Sequence, residues 1–441
     1  MKLSLLDLLR CPFCAGKLRM SDTSPRAGEI EYNVLSCHCS SYPVVAGIPF
    51  LKRENPANKV IALIRAQRHH EALLTLIQPV SPALAPARVK SLPVIGKVRK
   101  LRHLAHRMAL ATWRKRATEL LNNAEDSSTA RQFFELYWGK KSENFNYHAF
   151  RFGQPRHLVA LSFATLIRDV NKPILDLACG CGHITRALTH QAVGQTVVGV
   201  DDLFFGLYIA KHLIAPGAEF VCCSAEHSLP SANGAFAVAF CSDAFHYITN
   251  KAACIRELKR LIAKDGTIFL VWVHNALFRR PYDGQPLPPE GYDALLDGFP
   301  HRLVDDRIVL KRYLEKQGSA LAKCTDVASV AQAPLLSLVA SHRTEVFQDY
   351  GPFAQWPHGQ GRLALNPLYT VTPDNGHDSF RLNRSYPSAF FKEEHAESAE
   401  YLPEHLETSA ALFDDLEHGR ITPEIESLID RAVVLDIPER F

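Results

Sequence analysis

Apolar and polar positions along this chain follow two rhythms, and the clearest alternation between them lies in its middle third. Five apolar runs of strand length, PILDLA (173–178), TVVGVD (196–201), AEFVCCS (218–224), AFAVAFCS (235–242) and GTIFLVWV (266–273), are interleaved with stretches of helical spacing, HITRALTHQ, LFFGLYIAKHLI and NKAACIRELKRLIAK. Near-continuous apolar runs belong to strands buried on both faces, and helices between successive strands are the crossovers that parallel pairing needs. The order predicts a doubly wound α/β sheet covered by helices on both faces.

The flanks read differently. NKVIALIRAQRHHEALLTLI places Ile61, Ile64, Leu73, Leu76 and Ile77 near helical spacing. The proline-bearing QPVSPALAPARVKSLP then interrupts the pattern, before a basic helical stretch, GKVRKLRHLAHRMALATWRKRATELL. Beyond residue 276, PLLSLVASHRTEVF, GRLALNPLYTV and SFRLNRSY predict short strands, followed by acidic helices to the end. The expected division is a cysteine-paired segment at 1–52, a helical connector at 56–130, the alternating sheet at 131–275 and an α+β appendage at 276–441.

A chain of 441 residues suits two or three domains, and its net charge of +4 is too small to imply a nucleic-acid partner by itself. The charge is unevenly spread: ten Lys/Arg and no acid fall between Arg88 and Arg116. Arg99, Lys100, Arg102, Arg107, Arg114, Lys115 and Arg116 would contact phosphates if that helix met nucleic acid, but only Trp113 is interleaved among them, and a solvated face is the simpler reading. No apolar window approaches a spanning helix, and MKLSLLDLLRCPFC runs into cysteines without the pattern of a signal peptide. Eleven cysteines, several inside predicted strands and turns, suit a reducing compartment, and the cytosol is expected.

The chemistry gathers where the first strand ends, in DLACGCGHIT. Ligands of open α/β sheets bind outside the carboxyl ends of the strands, and glycines let backbone approach them. A dinucleotide fold wants G-x-G-x-x-G, and Thr185 stands at its third glycine. The stretch resembles the first motif of class I S-adenosylmethionine-dependent methyltransferases, of the Methyltransferase type 11 kind, with Asp176, Ala178, Gly180 and Gly182 in the motif positions. CCSAEHSLPSANGAFAVAF is similar to that family's third-strand turn, and RELKRLIAKDGTIFLVW to its helix, turn and fifth strand. The resemblance implies a Rossmann-like sheet and cofactor contacts from Asp176, Ala178, Gly180, Gly182, Asp201, Asp202, Ser224, Ala225 and Ser242, with Asp201 on the ribose and the Ser224 turn on adenine. Ser224 and Ala237 stand where the family often has aspartates. Cys179 and Cys181, one residue apart on that turn, read as small residues tolerated in a tight loop.

Cys11-x-x-Cys14 and Cys37-x-Cys39 are two thiol pairs about twenty residues apart, a spacing that suits a tetrahedral zinc site, with His38 as an alternative ligand. A bound metal would supply folding energy that so short a segment lacks. LLDLLRCPFCAGKL, the second pair and YPVVAGIPFL together resemble the Trm112-like zinc-binding family, whose members occur as partners of methyltransferases or fused to them.

Candidate bases follow the fourth and fifth strands: Asp243, His246 and Tyr247 in CSDAFHYI, and His274 in VWVHN. Ahead of the sheet, ENFNYHAFRFGQP offers Tyr147, Phe150, Arg151 and Phe152 as a lid over the cofactor. The expected function is methyl transfer from S-adenosylmethionine to a small metabolite or biosynthetic intermediate. An RNA- or protein-modifying methyltransferase and a non-catalytic methyltransferase-like binding protein are the alternatives.

Overall fold

The computed structural model describes residues 1–21, 28–54, 56–79, 96–123, 127–278, 284–323, 327–352, 361–374 and 378–441, with the backbone alone of 96–103. The predicted strands form β5 (Ile174–Leu177), β6 (Val197–Asp201), β7 (Glu219–Cys222), β8 (Phe236–Ser242) and β9 (Ile262–His274). Every pairing among them is parallel. Successive residues face opposite sides, so Ile174 and Val197 enter one core layer while Leu175 and Val198 enter the other. The predicted crossovers are the helices His183–Gln191, Phe204–Ile209 and Lys251–Leu261, the second widening into a π turn at Ala210–Ile214.

The sheet has seven strands, ordered β10-β11-β9-β8-β5-β6-β7, with β10 at His301–Asp305 and β11 at Leu335–Ser341. β11 runs against both its neighbours. These two strands come from beyond residue 276, where the sequence pattern placed a separate appendage. All seven residues of β11 are buried. An apolar run of that kind says that a strand is covered on both faces, not which sheet it joins. A second difference lies at the end of the chain, read as helical: after the helices Ala410–Glu417 and Pro423–Asp430, Val434–Ile437 pairs with Arg362–Leu365 as β16 with β12. Between them, β13 (Tyr369–Pro373), β14 (Ser379–Arg384) and β15 (His405–Ser409) make a three-stranded antiparallel sheet.

At the other end, β1 (Arg19–Met20), β2 (Asn33–Ser36), β3 (Ser41–Val45) and β4 (Ile48–Pro49) form a small antiparallel sheet. Its chain runs on along the free edge of β7, where Leu51 N–H donates to the Cys222 carbonyl at 2.8 Å. An edge strand that would template unwanted pairing is thereby covered. The helical connector is Ala57–Arg65, His69–Ile77 and Gly96–Asn122. One pattern became two helices because Gln67, at φ 57°, turns left-handed between them. Among the described residues no helix is long and apolar enough to cross a membrane.

Candidate functional site

Between β5 and the next helix the backbone turns left-handed three times in five residues: Ala178 at φ 55°, Gly180 at 54° and Gly182 at 81°. The two glycines serve different ends. A Cβ on Gly182 would lie 2.7 Å from that of Ala210, so this glycine permits helix packing; one on Gly180 would meet nothing within 4 Å, because the residue faces open space. Asp201, ending β6, braces the turn by accepting from Gly180 N–H and Leu203 N–H, both at 2.9 Å. Thr185 donates to Asp176 at 2.6 Å, which gives a role to the residue that replaces the dinucleotide glycine. Burial pushes the Asp176 carboxyl up to about 7, although the Thr185 bond opposes the shift.

These residues floor a cleft of about 400 Å³ at the carboxyl ends of β5, β6 and β8. Asp176, Ala178, Gly180, Asp201, Asp202, Ser224, Ala225 and Ser242 line it; Gly182 does not. Ser242 Oγ, His148 Nδ1 and His183 Nε2 are buried there without a hydrogen-bond partner among the described residues. Ala237 lies near the opposite end of β8, where its amide donates to the Pro173 carbonyl, so the missing aspartate takes nothing from the cleft.

The facing wall is the segment expected as a lid, and half of it faces the cleft. Tyr147 and Arg151 line the cleft, whereas Phe150 and Phe152 turn away to pack on Phe391 and on Phe441. Asp243, at φ 56°, holds this wall in place. One of its oxygens accepts from Tyr147 at 2.9 Å, Arg151 at 2.8 Å and Arg156 at 2.9 Å. Burial alone would raise this carboxyl, but Arg156 and Arg151 reverse the effect and hold it far below the ordinary carboxylate range. A carboxylate so held is a fixed anion and a poor base.

The histidines offered as bases stand behind the wall. His246 is fully buried and stacks on His274 with ring centroids 4.1 Å apart; neither lines the cleft. Burial, then His274, lowers His246 to about 3, so it is neutral at physiological pH. Ligand atoms of Asp243, His246 and His274 lie within 4.8 Å of one another. Tyr247 does reach the cleft.

Sequence reasoning missed Glu226, His148 and His183, which line the cleft, and Arg156, which fixes Asp243. Glu226 was within reach, two residues after Ser224 in SAEHS. The other three are marked by no motif, only by tertiary position.

Residues 175–270 match the methyltransferase domain family. The matched span carries the floor of the cleft, and Tyr147, His148 and Arg151 of its wall lie outside the match. The chain also aligns with the demethylmenaquinone methyltransferase of Thermotoga maritima, 29% identical over 107 residues, which is 24% of this chain and 46% of that protein; the match thus spans about half of the curated relative. Among solved structures, the YcgJ protein of Bacillus subtilis is 18% identical, covering 42% of this chain and 99% of its own, at a TM-score of 0.30. A complex of the Haloferax volcanii Trm112 methyltransferase activator with a methyltransferase matches at 16% identity, 42% of this chain and 90% of the matched one, at a TM-score of 0.33.

At the N-terminal sheet the four predicted thiols converge. Sγ separations are 3.5 Å for Cys11–Cys39, 3.7 Å for Cys14–Cys37 and 3.4 Å for Cys37–Cys39. A tetrahedral ion bonded to sulfur at about 2.3 Å keeps its sulfurs about 3.8 Å apart, so this cluster could hold one metal ion. His38 Nδ1, 3.9 Å from Cys14, stands beside the cluster and is not part of it. Arg53 donates to Cys39 Sγ at 3.0 Å. Of the basic helix, Arg99, Lys100 and Arg102 have side chains outside the described residues; Arg107, Lys115 and Arg116 are exposed, and Arg114 donates to Gln78.

Proposed function

We propose that this protein transfers a methyl group from S-adenosylmethionine to a small-molecule acceptor. The observation that carries the reading is the charge of the glycine-turn cleft. Asp201, Asp202, Glu226 and Asp243 line it beside Asp176, whose carboxyl is half ionised near pH 7, and the one arginine lining it among the described residues, Arg151, is already paired with Asp243. Such a cleft repels the pyrophosphate of a dinucleotide and suits a ligand carrying positive charge. The family match over 175–270 supports the same choice.

The residues fit that cofactor. Gly180 leaves room where backbone must approach, and unpartnered polar atoms on Ser242, His148 and His183 await a ligand. Asp201 accepts from the turn through both oxygens and would offer its remaining lone pairs to ribose hydroxyls. Ser224 and Ala225 line the cleft and would border adenine. When bound, S-adenosylmethionine supplies a methyl group already activated by its positive sulfur. What the protein adds is orientation. Tyr147, Arg151 and Tyr247 shape the acceptor side, and Asp243 fixes the first two. His246 and His274 stack on each other behind Asp243, outside the cleft, and are not assigned the role of base.

We assign Cys11, Cys14, Cys37 and Cys39 to a structural zinc ion in a Trm112-like segment, with Arg53 offsetting part of the thiolate charge. Free thiols throughout the described residues are consistent with a cytoplasmic protein. The division into four segments at about 52, 130 and 275 is kept for the chain, while β10 and β11 tie the last segment into the central sheet.

Calorimetric titration with S-adenosylhomocysteine tests the reading. Saturable one-to-one binding is expected, weakened at least about tenfold in Asp201→Ala, which loses charge-assisted bonds. A folded protein that takes up no S-adenosylhomocysteine would refute it.

A further inference from the structure

Behind the wall at residues 149–152 lies a second cavity, of about 240 Å³, with Arg131, Phe150, Phe152, Arg362, Leu365 and Phe441 in its lining and no acidic residue. Its two guanidiniums differ from the buried arginines of this protein. Arg151, Arg156 and Arg186 each meet a carboxylate at 2.8 or 2.9 Å. Arg131 and Arg362 meet none among the described residues.

Arg131 donates one bond, from Nη1 to the Ala149 carbonyl at 2.6 Å, and otherwise lies over Phe145, Phe150 and Phe441 at 5.9, 5.5 and 5.9 Å. A guanidinium has five donors. Burial, then the charge of Arg362, pushes Arg131 below its ordinary pKa, as expected for a half-buried cation that faces a second, exposed one with no carboxylate in ion-pair reach among the described residues. Such a pair is stabilised by an anion that accepts from both forks. The phenyl and aliphatic walls add a demand for an apolar body.

We propose that this cavity binds an amphipathic organic anion, its carboxylate or phosphate held between Arg131 and Arg362 and its apolar part against Phe150, Phe152 and Phe441. Phe150 and Phe152 belong to the segment whose Tyr147 and Arg151 line the cofactor cleft, so the site backs directly onto the acceptor wall. The proposal stands apart from methyl transfer, since it concerns binding alone.

Calorimetry on the full chain, with 4-phenylbutanoate and phenyl phosphate as probes and 4-phenylbutan-1-ol as the neutral control, decides it. At least one anion is expected to saturate at one per chain, and the alcohol to bind at least about tenfold more weakly. Arg131→Gln should cost at least about tenfold in anion affinity. If that variant does not fold, Arg362→Gln, at an exposed strand end, carries the test with an expected loss of at least about threefold. Saturating S-adenosylhomocysteine should leave the anion bound. Absence of binding by both anions, equal binding of the alcohol, unaltered affinity in Arg362→Gln, or displacement by S-adenosylhomocysteine would each overturn it, the last by placing the probes in the cleft. An anion site that survives in a protein without affinity for S-adenosylhomocysteine would refute methyl transfer and leave this proposal standing.

Discussion

Asp176 and Ala178 show how much of the candidate site is decided by single residues. Because burial lifts Asp176 to about 7, above an unfolded aspartate near 3.9, folding favours its protonated form. The contribution of Asp176 to the stability of the free protein therefore falls as pH rises from about 4 to about 7 and is level above that. A positive cofactor has the opposite preference and favours the ionised carboxylate. We expect S-adenosylmethionine affinity to rise about three- to tenfold between pH 6 and 8, and Asp176→Asn to flatten the profile; an unchanged slope in that variant would place the titrating group elsewhere. Ala178 holds φ 55°, a conformation that costs an L-residue roughly 1–2 kcal/mol and a glycine little. Allowing for the greater entropy of unfolded glycine, Ala178→Gly should stabilise the protein by about 0.5–1 kcal/mol. The measurement is a urea midpoint shift at constant m. Ala178 thus stands where backbone geometry asks for a glycine.

At the scale of elements, the N-terminal sheet and the edge of β7 form one unit. Leu51 N–H reaches the Cys222 carbonyl at 2.8 Å, and Arg10 N–H reaches that of Pro230 at 2.9 Å. The next residues along β7, Cys223 and Ser224, already line the cleft. If a metal holds the four thiols, removing it by chelation, or by Cys14→Ser, releases the clamp on that edge. Hydrogen exchange at the Leu51 amide should then accelerate by orders of magnitude, and S-adenosylhomocysteine affinity should fall. Leu51 exchange indifferent to chelator would separate the cysteine cluster from the cleft. Glycine spacing was legible at this scale and so were the paired cysteines, because both are local patterns. The contact between them was not: residues 51 and 222 meet only once the sheet has formed.

Over the whole molecule, the C-terminal part holds up the acceptor wall. Tyr401 donates to the Gly153 carbonyl at 2.8 Å, Glu394 meets Arg156 at 2.8 Å, and Asp436 meets Arg186 at 2.9 Å. Phe441 packs edge-on against Phe152 with centroids 4.9 Å apart. Removing these elements would strand Arg156 as a half-paired buried charge and open Phe152 to water. A chain ending at residue 345 should therefore lose cooperative thermal unfolding, followed by near-ultraviolet circular dichroism. Sharp melting with full S-adenosylhomocysteine affinity in that chain would show the C-terminal elements to be dispensable.

Local pattern by itself determined a large share of this protein. Five near-continuous apolar runs with helices between them predicted a parallel sheet, and DLACGCG predicted a tight glycine turn after the first strand. Two thiol pairs announced a cluster. Each of these is a property of near neighbours, which fix backbone preference and burial without long-range help. Tertiary structure alone decided which charges cancel. Asp243 and His246 read as bases because their side chains carry that chemistry; Arg151, Arg156 and burial, arriving from 80 to 100 residues away in the chain, turned one into a fixed anion and the other into a neutral ring. The same long-range folding brought Arg131 and Arg362 into one cavity without a carboxylate. Side-chain pKa and ion pairing depend on distances across the fold, and no periodicity in a sequence records those.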